Sequence, residues 1–145
     1  MDQLSSLDHQ QLAQAKQKIE SDIQRFAESM HFLSKSAQIY MSANVAIKSL
    51  SESKTGQPLL LPLTQSVYVS GEVASVEEVL VDVGTGYFVE MTTSAGQEFC
   101  ERKASKLRAS IKEIQEVLRQ KQNQLLQVEQ VLQHKLEGAQ QGTAS

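Results

Sequence analysis

LLLPLTQSVYVSGEVASVEEVLVDVGTGYFVEM, running from Leu59 to Met91, is the part of this chain that reads as β-structure; the sequence on either side of it reads as long helix. Val67, Val69 and Val73 share one parity, as do Val79, Val81 and Val83, and then Tyr87, Val89 and Met91. That period of two is the pattern of half-buried strands. Ser70-Gly71 allows a bend or bulge, Ala74 to Glu77 is a polar break, and Gly84-Thr85-Gly86 supplies two residues free to take positive φ. Four short strands, two hairpins, are expected: Leu59 to Leu63, Val67 to Val73, Glu78 to Val83 and Tyr87 to Met91.

Outward from this stretch the helix breakers vanish. Neither Gly nor Pro occurs from Met1 to Thr55 or from Gln97 to Glu137. Before the strands, Leu12, Ile19, Phe26, Leu33, Tyr40 and Ile47 recur every seven residues, with Lys16, Ile23, Met30, Ala37 and Asn44 four residues behind them. After the strands, Ile111, Leu118, Leu125 and Leu132 form one such series and Cys100, Leu107, Ile114, Lys121 and Val128 the other. Alternating steps of four and three are the seam of a left-handed coiled coil. Two helices of similar length, about 70 and about 60 Å at 1.5 Å per residue, joined by a short reversing segment, predict an antiparallel hairpin.

The fold class is therefore α+β, a long antiparallel two-helix coiled-coil hairpin with two short β-hairpins inserted between the helices. The whole chain, 1–145, reads as one domain: helix one over about 6–54, the β segment over 58–92, helix two over 95–137, and a patternless tail over 138–145, read as disordered. Ser94 with Gln97 is a candidate capping box for the second helix.

The formal net charge of −3 is unevenly divided. The β segment carries Glu72, Glu77, Glu78, Asp82 and Glu90 and no base, while Arg102, Lys103, Lys106, Arg108 and Lys112 cluster just after it. The cluster reads either as a solvated helix face or as a charge partner for neighbouring subunits. An acidic balance without interleaved aromatics argues against nucleic acid. No apolar run reaches bilayer-spanning length, and MDQLSSLDHQ lacks the features of a secretory signal, so a soluble, intracellular protein is expected.

Nothing resembles a catalytic site. Cys100 lies on the seam with no His nearby, which predicts a buried structural thiol. His9, His31 and His134 are scattered, so no metal is expected, and Gly84-Thr85-Gly86 lacks the rest of a phosphate loop. No cofactor is implied. Four short strands cannot cover both of their faces, so association with other chains through the β segment is expected. Apolar residues beyond the seam gather near the free helix ends: Leu4 and Leu7 on one side, Leu126, Val131 and Leu136 on the other.

The stretch from Pro58 to Glu90, flanked by heptad helices, resembles the alpha class of prefoldin subunits. Leu61-Pro62-Leu63-Thr64, Tyr68-Val69 with Gly71, and Val79 to Tyr87 with Val89-Glu90 carry the resemblance; Ser70 stands where that pattern has proline. The resemblance implies a hetero-hexamer of two alpha-class and four beta-class subunits that holds unfolded chains, actin and tubulin among them, without ATP. It also implies delivery of those chains to the cytosolic group II chaperonin. Cytoplasmic localisation follows, with the nucleus left open as a second compartment; membrane and nucleic-acid partners do not.

Site residues divide accordingly. Oligomerisation falls to Leu61, Leu63, Val67, Tyr68, Val69, Val79, Val81, Val83, Tyr87 and Val89, and client binding at the helix tips to Leu4, Leu7, Leu12, Val128, Val131, Leu132 and Leu136. A structural coiled-coil adaptor that dimerises through its strands is the alternative, and holdase activity would separate the two.

Overall fold

The computed structural model describes residues 2–143. In chain order the elements are a one-turn helix α1 (Asp2–Ser5), helix α2 (His9–Glu52), strands β1 (Pro58–Pro62), β2 (Tyr68–Glu72), β3 (Glu78–Gly84) and β4 (Tyr87–Thr92), and helix α3 (Thr93–Thr143). The expected α+β architecture forms: two long helices with two antiparallel hairpins, β1–β2 and β3–β4, between them. The chain resolves into two compact units, Met1–Ser34 with Ala109–Ser145, and Lys35–Arg108.

In the first unit α2 and α3 pair antiparallel along the predicted seam. Leu12, Leu118 and Val128 are buried, and most other seam positions are half-buried. Two seam positions carry lysine, which in an apolar layer needs a counter-charge. Lys16 Nζ lies 3.5 Å from Glu129 and 3.8 Å from Glu20, and Lys121 Nζ lies 3.2 Å from Asp22 Oδ2. Both cross-helix pairs join residues whose numbers rise on one helix as they fall on the other, as antiparallel pairing requires.

The start of α2 differs from the expected helix beginning near Ser6. Asp8 caps it: the Gln11 amide donates to Asp8 Oδ1 at 2.7 Å and the Asp8 amide donates to Gln11 Oε1 at 3.1 Å. That reciprocal pair is a capping box, and it separates α1 from α2. At the other end, α3 does not stop at Glu137. It continues through Gly138 to Thr143, so 138–143 is helical where a disordered tail was expected; Ala139, Gln140 and Gln141 are good helix formers, and one glycine costs only about 1 kcal/mol. Ala144 and Ser145, the rest of that tail, lie outside the described residues.

In the second unit the seam continues with Ala37, Cys100 and Ala104 buried, and Phe99, off the heptad, is buried with them. Tyr40 meets Phe99 edge to face, with ring centroids 6.4 Å apart. Arg102 and Lys103 lie over the same Phe99 ring at 5.8 and 5.7 Å, so two members of the basic cluster are cation–π partners within their own chain.

The α3 cap is Thr92, whose Oγ1 accepts from the Ala95 amide at 3.1 Å, and not Ser94 as the sequence suggested. The reason is continuity: Thr92 still pairs with Glu78 in the sheet, the Thr93 amide donates to Glu77 O, and the strand passes into the helix without a loop. Ser70-Gly71 also departs from expectation. No bulge forms there; Ser70 pairs with Leu60 and Gly71 with Leu59 in regular register. The irregularity falls at Val83 instead, between Asp82 and Gly84, where the Gly84 amide donates to Asp82 Oδ1. Thr85 (φ 51°) and Gly86 (φ 80°) then close a two-residue turn with both centres at positive φ.

Gly96 sets how closely α3 approaches the strands. A Cβ there would stand 3.1 Å from Val79 Cγ2 and 3.3 Å from Ile47 Cδ1, whereas one at Gly138 would meet nothing within 4 Å. Gly138→Ala should therefore stabilise the chain by about 0.5–1 kcal/mol through helix propensity alone. Gly96→Ala should lose that gain to crowding, and Gly96→Val should cost about 1–3 kcal/mol. Urea unfolding followed by helical circular dichroism checks the order; equal gains at both alanines would refute the close approach.

Candidate functional site

The chain's chemistry-bearing and contact-bearing residues fall into two sets, one in each unit. The second unit holds every residue assigned to oligomerisation. Two-stranded sheets bury little of themselves, and Leu61, Leu63, Val67, Tyr68, Val69, Val83, Tyr87 and Val89 are all exposed, Tyr87 at 71%. Val79 and Val81 are half-buried because their side chains turn toward Gly96 at the start of α3. Each hairpin keeps its outer strand edges unpaired among the described residues. Unpaired edges and uncovered apolar side chains are what a second chain can pair with and cover.

The set assigned to oligomerisation leaves out part of this surface. Leu80 (70% exposed) and Phe88 (63%) lie on the face of the β3–β4 hairpin opposite Val79 and Val81. An open groove of about 430 Å³ runs between α2 and β3, lined by Ile39, Ala43, Ala46 and Leu50 on the helix and by Leu80 and Val81 on the strand. Ile39 and Ala46, spaced by seven and each one residue before a seam position, were the available signal: they form a second apolar row beside the coiled-coil stripe.

The first unit holds every residue assigned to client binding, and they are not equivalent. Leu12 (0% exposed) and Val128 (2%) are buried and hold the helices together. Leu4, Leu7, Val131 and Leu132 are half-buried, and Leu136 is half-exposed at 51%. One open groove, about 660 Å³, is bordered by His9, Ala13, Leu132 and Leu136; another, about 480 Å³, by Ser5, Val131 and His134. Lys135 Nζ donates to the Leu7 carbonyl and so holds the α1–α2 link against α3.

Cys100 behaves as expected of a structural thiol: it is buried, and burial pushes its pKa up, away from the reactive thiolate. His9 and His134 line different grooves, and among the described residues no cluster of three or more His, Cys, Asp or Glu could hold a metal ion.

Glu78 and Glu90 are diagonal neighbours on one face of the β3–β4 hairpin, since Leu80 pairs with Glu90 and Glu78 with Thr92. The Glu90 carboxylate accepts a hydrogen bond from protonated Glu78 and repels its ionised form, which raises the Glu78 pKa above its ordinary value. The Glu78 site then binds protons more readily folded than unfolded, so its contribution weakens as pH rises from 4.5, the ordinary glutamate value, through the raised one. Glu78→Gln should increase the hydrogen-exchange protection of β3–β4 amides at pH 7, with the gain shrinking toward pH 4.5. Parallel protection in both chains across that range would dismiss the repulsion.

Comparison with known proteins supplies a family. The model for the prefoldin subunit family matches residues 19–138. A Dictyostelium discoideum protein described as "Probable prefoldin subunit 5" is 36% identical over 133 residues, 92% of this chain and 82% of that one. Human prefoldin subunit 5 is 33% identical over 146 aligned positions, 97% of this chain and 95% of the human protein. The cryo-EM structure of filamentous PFD from Methanocaldococcus jannaschii shares the fold, with a TM-score of 0.69 over 79% of this chain and 95% of that chain at 16% identity.

Proposed function

The chain belongs to the prefoldin family, a family of non-enzymatic co-chaperones, and from that premise we propose that it works as the alpha-class, subunit 5 type member of a hetero-hexamer. In that assembly two alpha-class and four beta-class subunits join through their strands, and the helix ends hold unfolded or nascent chains without ATP. Clients of the actin and tubulin class are passed to the cytosolic group II chaperonin, and the cytoplasm is the place of action. No described helix is long and apolar enough to cross a membrane.

The observation that carries this reading is the division of exposed apolar surface between the units. The second unit exposes strands with open edges, which suits assembly by strand addition. The first unit exposes a few leucine and valine side chains around two open grooves, which suits weak apolar grip. Each such residue contributes about 1.5–3 kcal/mol when fully covered by a client, less when partly covered. Several subunits gripping one client together convert such weak contacts into useful avidity. A spacer protein needs no partly exposed leucine and valine side chains beside open grooves at its helix ends, so they favour the holdase over the adaptor.

We assign client binding to Leu4, Leu7, Val131, Leu132 and Leu136, the less buried of the seven candidates, with Leu12 and Val128 as their support. Changing Leu4, Leu7, Val131 and Leu136 together to Ser should leave the native mass of the complex unchanged. It should raise the concentration needed to suppress aggregation of an unfolded client by about tenfold, the equivalent of about 1.4 kcal/mol. Leu12→Ser should instead destabilise the helix pair by at least about 2 kcal/mol. The checks are native mass spectrometry of the complex recovered with a tagged chain and light scattering of a diluted client. Recovery as a monomer or homodimer would overturn the assembly; undiminished suppression by the fourfold variant would overturn the grip.

A further inference from the structure

The β3–β4 hairpin has two unlike faces. One, carrying Val79 and Val81, is turned toward Gly96 of α3 and Ile47 of α2. The other carries Glu78, Leu80, Asp82, Phe88 and Glu90, all exposed. Register places each large apolar side chain on this face directly opposite an acid: Leu80 pairs with Glu90, and Asp82 with Phe88. Among the described residues no Lys or Arg forms a salt bridge with any acid of the β segment, which itself contains no base.

That arrangement restricts what can cover the face. Removing Leu80 and Phe88 from water desolvates the neighbouring carboxylates as well, and an ionised carboxylate without a counter-charge is strongly destabilising when buried. A purely apolar partner is therefore a poor fit. A second copy of this chain, docked face to face about a two-fold axis, would bring two sets of three acids together. Its basic cluster lies on α3 and not on this face, and three of its five members are engaged within the chain, Arg102 and Lys103 over Phe99 and Arg108 with Glu101 at 3.7 Å.

We propose that the Glu78–Leu80–Asp82–Phe88–Glu90 face is the docking surface for a segment of a different prefoldin subunit that presents Lys or Arg beside apolar side chains, and that its acids exclude self-pairing. The inference rests on the prefoldin-assembly reading and deepens it by assigning a face and a partner chemistry. Leu80 and Phe88 supply the area to be covered, and the acids select which chain covers it. The raised pKa of Glu78 agrees with this: the free chain holds a repelling pair that an incoming cation relieves.

The test mixes the full-length chain with the other prefoldin subunits of the same cell and follows the complex by sedimentation across about 0.05 to 0.5 M NaCl. Three variants are compared with the wild type: Glu78→Lys with Glu90→Lys, Glu78→Gln with Glu90→Gln, and Leu80→Ser. Asp82 is left unchanged because it accepts the Gly84 amide at the turn. Helical circular dichroism and the exchange protection of β3–β4 confirm that each variant is folded.

Charge reversal should weaken assembly at least tenfold, the glutamine pair should weaken it less and flatten its dependence on salt, and Leu80→Ser should weaken it at every salt concentration. Assembly of the charge-reversed chain with wild-type affinity and salt dependence would overturn the proposal while leaving the assembly reading intact. So would a wild-type homodimer abolished by Leu80→Ser. Failure of the wild-type chain to join the other subunits at any salt would overturn the assembly reading itself.

Discussion

A two-stranded sheet has two edges and two faces and too few residues to cover any of them, and this chain contains two such sheets. The exposure of Leu60, Leu61, Leu63, Tyr68, Leu80, Tyr87 and Phe88 follows directly from that geometry. Three or more strands, or packing against a helix, are needed before a small sheet is stable in water. The β3–β4 hairpin meets the second condition on one face only, through Val79 and Val81 against Gly96. The rest of the apolar surface stays uncovered within the chain.

The helices solve a different problem. Among the described residues few side chains are fully buried, because a pair of helices has a seam and no enclosed interior. Stability is thus spread along many half-buried positions. The lysines at Lys16 and Lys121 interrupt the apolar seam but meet Glu129 and Asp22 across it. Partly buried pairs of this kind add little net stability, and their better-supported effect is on register: shifting one helix by a turn would separate both pairs.

The same sparseness takes a different form in each unit. In the second unit, Phe99 is sealed by Tyr40 on one side and by the aliphatic and cationic ends of Arg102 and Lys103 on another. Part of a cluster that reads in the sequence as free positive charge is therefore already engaged. In the first unit the buried Leu12 and Val128 stand beside residues of the same helices that keep some surface open.

The elements and their pairing are written in local sequence pattern. The seven-residue rows, the confinement of glycine and proline to the middle, and the alternating valines specify two paired helices and two hairpins, because each of these is a local periodicity that one chain expresses without help. The candidate assembly residues were legible for the same reason: more apolar strand positions are written than two hairpins can bury. Other features depend on contacts between distant parts of the chain, which the fold supplies. It moved the α3 cap from Ser94 to Thr92, since the choice depends on where β4 stops pairing. It kept Ser70-Gly71 in register and put the bulge at Val83, since bulges are set by the partner strand and the turn. It separated buried Leu12 and Val128 from half-exposed Leu136, a distinction that heptad position alone does not contain. And it set Asp82 opposite Phe88 and Glu90 opposite Leu80, because cross-strand register is a relation between distant residues that no local pattern records.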